Sequence, residues 1–143
     1  MKSDIIRIAV SQLGQEEFEK GSNPEILKYL EVTNTRGALK DDSTAWCCAY
    51  VNWVLNTAGF CHSNRLDARS YLEVGFSTAM PERGDIAVLW RESPNSWKGH
   101  VGFLMNQKAT TVLLLGGNQD NKVGIKEYNK DRILSYRVPY RIR

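Results

Sequence analysis

Apolar positions recur with helical spacing along the first half of the chain. Ile5, Ile6, Ala9, Val10 and Leu13 line one face of a helix over Ile5–Leu13, with Ser3 or Asp4 as its cap and Gly14 as its stop. Asn23-Pro24 reads as a second start, with Pro24 at the first helical position and Ile26, Leu27 and Leu30 behind it. Thr33–Lys40 is polar and reads as loop. Asp41, Asp42, Ser43 and Thr44 then offer a cluster of N-cap residues. They introduce the strongest helix, in which Cys47, Val51, Val54 and Ala58 form one stripe, Tyr50 lies beside it and Gly59 closes it. A short helix is expected over Ala68–Val74, ended by Gly75.

The second half changes period. Asp85–Trp90, His100–Met105, Thr110–Leu115, Val123–Tyr128 and Ile133–Tyr140 are short apolar runs separated by Gly, Asn, Pro and Ser. Helices followed by consecutive strands predict an α+β fold, with N-terminal helices packed on a C-terminal antiparallel sheet. The length of 143 residues and the absence of a Pro/Ser-rich linker predict a single domain over 1–143.

Charge changes the picture little. The net charge is +3, with no dense basic run interleaved with aromatics, so nucleic acid is not an expected partner. No apolar run approaches the ~18 residues of a membrane span. The start MKSDIIRIAV lacks the pattern of a cleaved signal, so synthesis in a cytoplasm without a signal peptide is expected.

The chemistry concentrates in TAWCCAYVNW. Three cysteines and two histidines match neither a disulfide framework nor a zinc spacing, so no metal and no cofactor are expected. Cys47 and Cys48 both sit at a helix start, where unpaired N–H groups favour a thiolate. Cys47 shares the stripe that should meet the sheet, and Cys48 is turned about 100° away with Asn52 and Leu55. Cys47 is therefore the expected nucleophile. His100, which opens a strand after Gly99, is the expected base. Asn118, after the next strand, is the expected orienting group, with Gln119 and Asp120 as close rivals. Each signal alone fits an ordinary structural role. The order Cys, strand-borne His, polar residue is what points to nucleophilic catalysis.

Those residues bring a resemblance with them. The chain resembles the NlpC/P60 and CHAP superfamily of papain-like peptidoglycan hydrolases, in particular small phage and bacterial proteins with a Trp-Cys-Ala-Ala-Phe-Val-Asn-Trp motif, here WCCAYVNW at Trp46–Trp53. PERGDIAVLW, GHVGFL and LGGNQDNKVGI resemble its further segments in order, as do SNPEILKYLEVTN and ARSYLEVG. Cys48, where Ala or Ser is usual, and Tyr71, where Trp is common, depart from the pattern.

The resemblance implies a papain-like fold and metal-free cleavage of an amide bond in cell-wall stem peptides or cross-links through Cys47, His100 and Asn118. Trp46, Tyr50 and Trp97, together with Trp90, are expected to line a glycopeptide groove. Peptidoglycan is the expected partner, acted on in the periplasm or a host envelope by a monomer. The expected setting is a phage endolysin or a secreted antibacterial effector, the latter with an immunity protein. The alternatives are a non-hydrolytic wall-binding module, and an acyltransferase or deamidase that uses the same cysteine on a protein.

Overall fold

Pro24 opens its helix for the reason its ring dictates: φ is already helical and the missing N–H is one no helix start can use. In the computed structural model, which describes residues 2–16, 23–32 and 46–141, Asn23 caps that helix by accepting from the N–H of Glu25 at 2.9 Å. The helices are α1 (Lys2–Val10), α2 (Pro24–Leu30) and α3 (Cys47–Ala58), followed by a 3₁₀ turn at Ala68–Glu73. Gly59 ends α3 in the left-handed region at φ 81°. The expected cap cluster Asp41–Thr44 lies outside the described residues.

Six strands follow: β1 (Phe76–Ser77), β2 (Ile86–Trp90), β3 (Gly99–Gln107), β4 (Thr111–Gln119), β5 (Lys122–Asn129) and β6 (Ile133–Val138). They form one antiparallel sheet in the order β1-β6-β2-β3-β4-β5. The α+β architecture is the expected one, and only the two-residue β1 was not legible in the pattern. β5 and β6 are joined by Lys130–Arg132 alone, although three strands lie between them. A flat sheet would hold those strands about 19 Å apart, farther than so short a connection spans, so the sheet curls.

The curl gives the sheet two buried faces. On one, Ile86, Val88, Val101, Phe103 and Leu115 meet the helices. On the other, Ala87, Leu89, Leu104, Val112 and Leu114 are covered by Tyr128, Ile133 and Tyr136. α3 is the hub of the first layer. Tyr50 donates to the carbonyl of Ala9 at 2.7 Å, and Tyr29 packs on both Tyr50 and Trp46. Asp85, in the Gly-Asp motif, is buried, takes an ion pair from Lys2 at 2.9 Å and accepts from the N–H of Glu82, so it is a structural turn residue.

The start of α3 comes down directly on β4. A Cβ at Gly117 would lie 2.8 Å from both the Trp46 ring and Cβ of Tyr50. Gly117→Ala should therefore cost about 1–3 kcal/mol through forced displacement. Gly124→Ala, with nothing within 4 Å, should stay within about 0.5 kcal/mol of wild type. Urea unfolding of both variants checks the pair.

Candidate active site

The two thiols have separate surroundings. Cys48 is fully buried, and its Sγ donates to the carbonyls of Arg65 at 3.2 Å and Asp67 at 3.5 Å. Asn52, one turn on, donates to the same Arg65 carbonyl at 2.8 Å and accepts from the hydroxyl of Tyr71. Cys48 thus holds the 65–67 segment in place. Burial pushes its thiol far above the ordinary range.

That segment is one wall of a cavity of about 210 Å³ onto which Cys47 opens. Leu66, Asp67 and Ala68 form this wall; Arg91, Trp97 and Gly99 form the other. Arg69 fixes the second wall by donating to the carbonyls of Lys98, Pro94 and Ser93 at 2.9, 3.0 and 3.2 Å.

Cys47 stands at the first turn of α3. Backbone N–H groups of Val101, Cys48 and Cys47, with the charge of Arg91, favour its thiolate, but burial outweighs them and the thiol is raised. Only 2% of Cys47 is exposed. The expected lowering by the helix start is present as a contribution and is beaten by desolvation.

His100 pairs across the sheet with Leu89, so it lies on the reverse face, opposite to Val101, which meets α3. The imidazole therefore does not lie on the helix-facing side, where a base for Cys47 was expected. There the backbone N–H of Val101, the residue after His100, lies near enough to Sγ to favour its thiolate. No hydrogen bond among the described residues joins Sγ to the imidazole in this conformation.

The third group also differs from expectation. The ring nitrogen Nε2 of His100 lies 2.9 Å from Oε1 of Gln119, not from Asn118. A bulge in the β4–β5 pairing between Gly116 and Gln119 causes the shift, with Asn118 on it at φ 55°. Asn118 lines a separate opening over His100, while Gln119 is buried beneath the ring. The amide orientation of Gln119 is fixed because its Nε2 donates to the carbonyls of Leu114 at 3.1 Å and Gly124 at 2.7 Å. Oε1 is then an acceptor for Tyr128 at 3.2 Å and for His100. Nε2 of His100 must carry the proton, which leaves the lone pair on Nδ1.

Burial lowers the pKa of His100 to about 4, helped by Arg91, Arg132 and Lys126 and opposed by the Gln119 bond. The resting pair is neutral thiol and neutral imidazole.

The expected aromatic groove is corrected in two places. Trp46 and Tyr50 are fully buried and serve the core under Gly117. Trp97 is 75% exposed and borders the cavity of Cys47. Trp90 is tied back by its Nε1 donating to the carbonyl of Asp131 at 3.2 Å. Arg91, Tyr128 and Arg132 were not singled out from sequence. The signal for Arg91 was its place directly after the β2 run, beside the strand that carries His100.

The CHAP domain matches residues 39–118, a stretch that holds Cys47, His100 and more than half of the chain. The chain belongs to the CHAP domain family. No curated protein matches this CHAP domain in sequence. Its fold is shared with NlpC/P60 structures. A Staphylococcus aureus protein similar to a lipoprotein of the NLP/P60 family is 15% identical with a TM-score of 0.56, over 96% of this chain and 41% of that one. The Mycobacterium tuberculosis peptidoglycan hydrolase RipB is 17% identical with a TM-score of 0.57, over 99% of this chain and 64% of that one. RipD of the same organism, a non-catalytic NlpC/p60 domain protein adapted to peptidoglycan binding, is 15% identical with a TM-score of 0.53, over 99% and 97%. The CHAP domain thus spans less than two thirds of the first and second of these chains.

The neutral resting pair has a stability consequence. Unfolded His100 takes a proton near pH 6.5, whereas the folded residue resists it until about 4. Stability is therefore full above 6.5 and is lost as pH falls from 6.5 to 4, by about 3 kcal/mol. Unfolding of wild type and His100→Asn across this window should show that loss in wild type only. In thiol labelling of the folded protein, Cys47 should react at least about tenfold faster than Cys48, with a rate that climbs with pH and has no plateau below neutrality.

Proposed function

We propose that this CHAP domain is a cysteine hydrolase that cleaves an amide bond in a peptidoglycan stem peptide or cross-link. Cys47 is the nucleophile, His100 the base and acid, and Gln119 the group that orients the ring. The observation that carries this reading is the fixed amide of Gln119, which commits Nε2 of His100 as donor and leaves Nδ1 as the ring's free acceptor.

The steps follow from those positions. Nδ1 takes the proton of the Cys47 thiol as Sγ attacks the carbonyl carbon. The backbone N–H of Cys47, at the helix start, is the donor to the developing oxyanion. The C–N bond breaks and the amine leaves with the proton from His100. Water, activated by the same ring, then hydrolyses the thioester and restores the thiol. The imidazole and sulfur close to hydrogen-bond distance when substrate fills the cavity, as such contacts tighten beyond their unliganded geometry. Trp97 offers an exposed face to the substrate. Such an activity suits a phage endolysin or an antibacterial effector acting at the cell wall, and an effector would be matched by an immunity protein.

A second reading is binding without turnover. It is favoured by the near-complete burial of Cys47 and by the missing direct bond to the imidazole. Purified peptidoglycan digested with wild type and Cys47→Ala separates the two. Hydrolysis predicts new soluble fragments from wild type alone, read by mass spectrometry; fragments from neither protein, with both retained on the wall, would support binding. In the same assay Gln119→Ala should lose activity by about tenfold or more, and Asn118→Ala by less than about threefold.

A further inference from the structure

The cavity of Cys47 is not the only opening at this end of the sheet. A second one, of about 340 Å³, lies over His100 and is bordered by Arg91, Asp120, Lys126, Tyr128 and Arg132. Arg91 borders both openings, so they adjoin at its side chain.

The second opening is strongly and unevenly charged. It gathers three cations against one carboxylate, and that carboxylate, Asp120, is already paired with Lys126 at 3.0 Å. The carboxylate next to Arg91, Glu92, is paired with Lys98 at 2.8 Å. The guanidinium of Arg91 makes no ion pair among the described residues. Arg132 is held in place, with Nε and Nη2 donating to the carbonyl of Trp90 at 3.3 and 3.1 Å and its plane near the rings of Trp90 and Tyr128. Those partners fix its direction without neutralising it. Two guanidinium groups beside a neutral histidine, without an ion-pair partner among the described residues, suit a planar anion.

Chemistry says which half of a substrate meets it. The acyl half becomes bonded to Cys47 and so occupies the first cavity. The amine half takes its proton from His100 and so leaves from the second. We infer that the opening over His100 seats a carboxylate carried by the amine-side fragment of the substrate, held by Arg91 and Arg132 with Lys126 at the rim. This inference rests on the hydrolase reading. Stem peptides carry such groups, among them the α-carboxylate of a γ-linked glutamyl residue and the C-terminal carboxylate, and both present the same anion.

The test uses soluble stem peptides with each of these carboxyl groups, in turn, free or amidated. kcat/KM is measured for the wild-type protein, Arg91→Gln and Arg132→Gln, and the products are identified by mass. The expected result is a drop of at least tenfold in wild type when one of the two groups is amidated, which also names the group, and its presence on the fragment that carries the new amine. Arg91→Gln should shrink the acid-to-amide ratio below about threefold. Equal turnover of all forms by wild type overturns the carboxylate seat and leaves the hydrolase reading standing. So does a ratio that survives in both arginine variants, or a critical carboxylate found on the acyl-side fragment. No turnover of any peptide or of intact peptidoglycan removes the hydrolase reading, and the inference with it.

Discussion

The side-chain amide of Gln119 is the constraint on which the rest of this site depends. Its nitrogen is spent on two backbone carbonyls, those of Leu114 and Gly124, so its oxygen has one orientation only. That oxygen meets Nε2 of His100 and the hydroxyl of Tyr128. The local backbone is built to allow this. A Cβ at Gly116 would lie 2.8 Å from Oε1 of Gln119, and the adjoining turn has positive φ at both Asp120 and Asn121. Such a turn matches the twist of a two-residue hairpin, which places Gln119 opposite Lys122.

The opposite side of the site is set by the start of α3. Two adjacent cysteines point in different directions there and answer to different needs. Cys48 is consumed by the wall it holds, through Arg65 and Asp67, and Cys47 looks into the cavity that this wall encloses. The closeness of Trp46 and Tyr50 to Gly117 fixes how near the helix can come to β4, and therefore where Sγ sits relative to the strand that carries His100.

Much of this was legible in the sequence, and the misses share a cause. Among the described residues, the 3.6 and 2.0 periods located the three α-helices and five of the six strands, because each buries a continuous apolar face. The placement of Cys47 at a helix start and of His100 at a strand start was legible because the apolar runs that follow them mark where those elements begin. The third group was not, since one bulge residue decides whether Asn118 or Gln119 turns inward and the apolar pattern carries no trace of it. Trp46 and Tyr50 against Trp97 were not separable either, because all are aromatics in or near the motif and only tertiary packing reveals which are covered. The thiol shift was misjudged in sign. A helix start favours the thiolate, and complete burial costs more.

The central claim is that Gln119 holds His100 as the neutral tautomer protonated on Nε2 and ready to accept at Nδ1. ¹⁵N NMR of the imidazole in the wild-type protein, followed from pH 7 to 3.5, tests it most directly. The account predicts a pyrrole-like Nε2 and a pyridine-like Nδ1 at neutral pH, with protonation only near pH 4 and a change in both signals in Gln119→Ala. An imidazolium at pH 7, or a proton on Nδ1 instead, would contradict it.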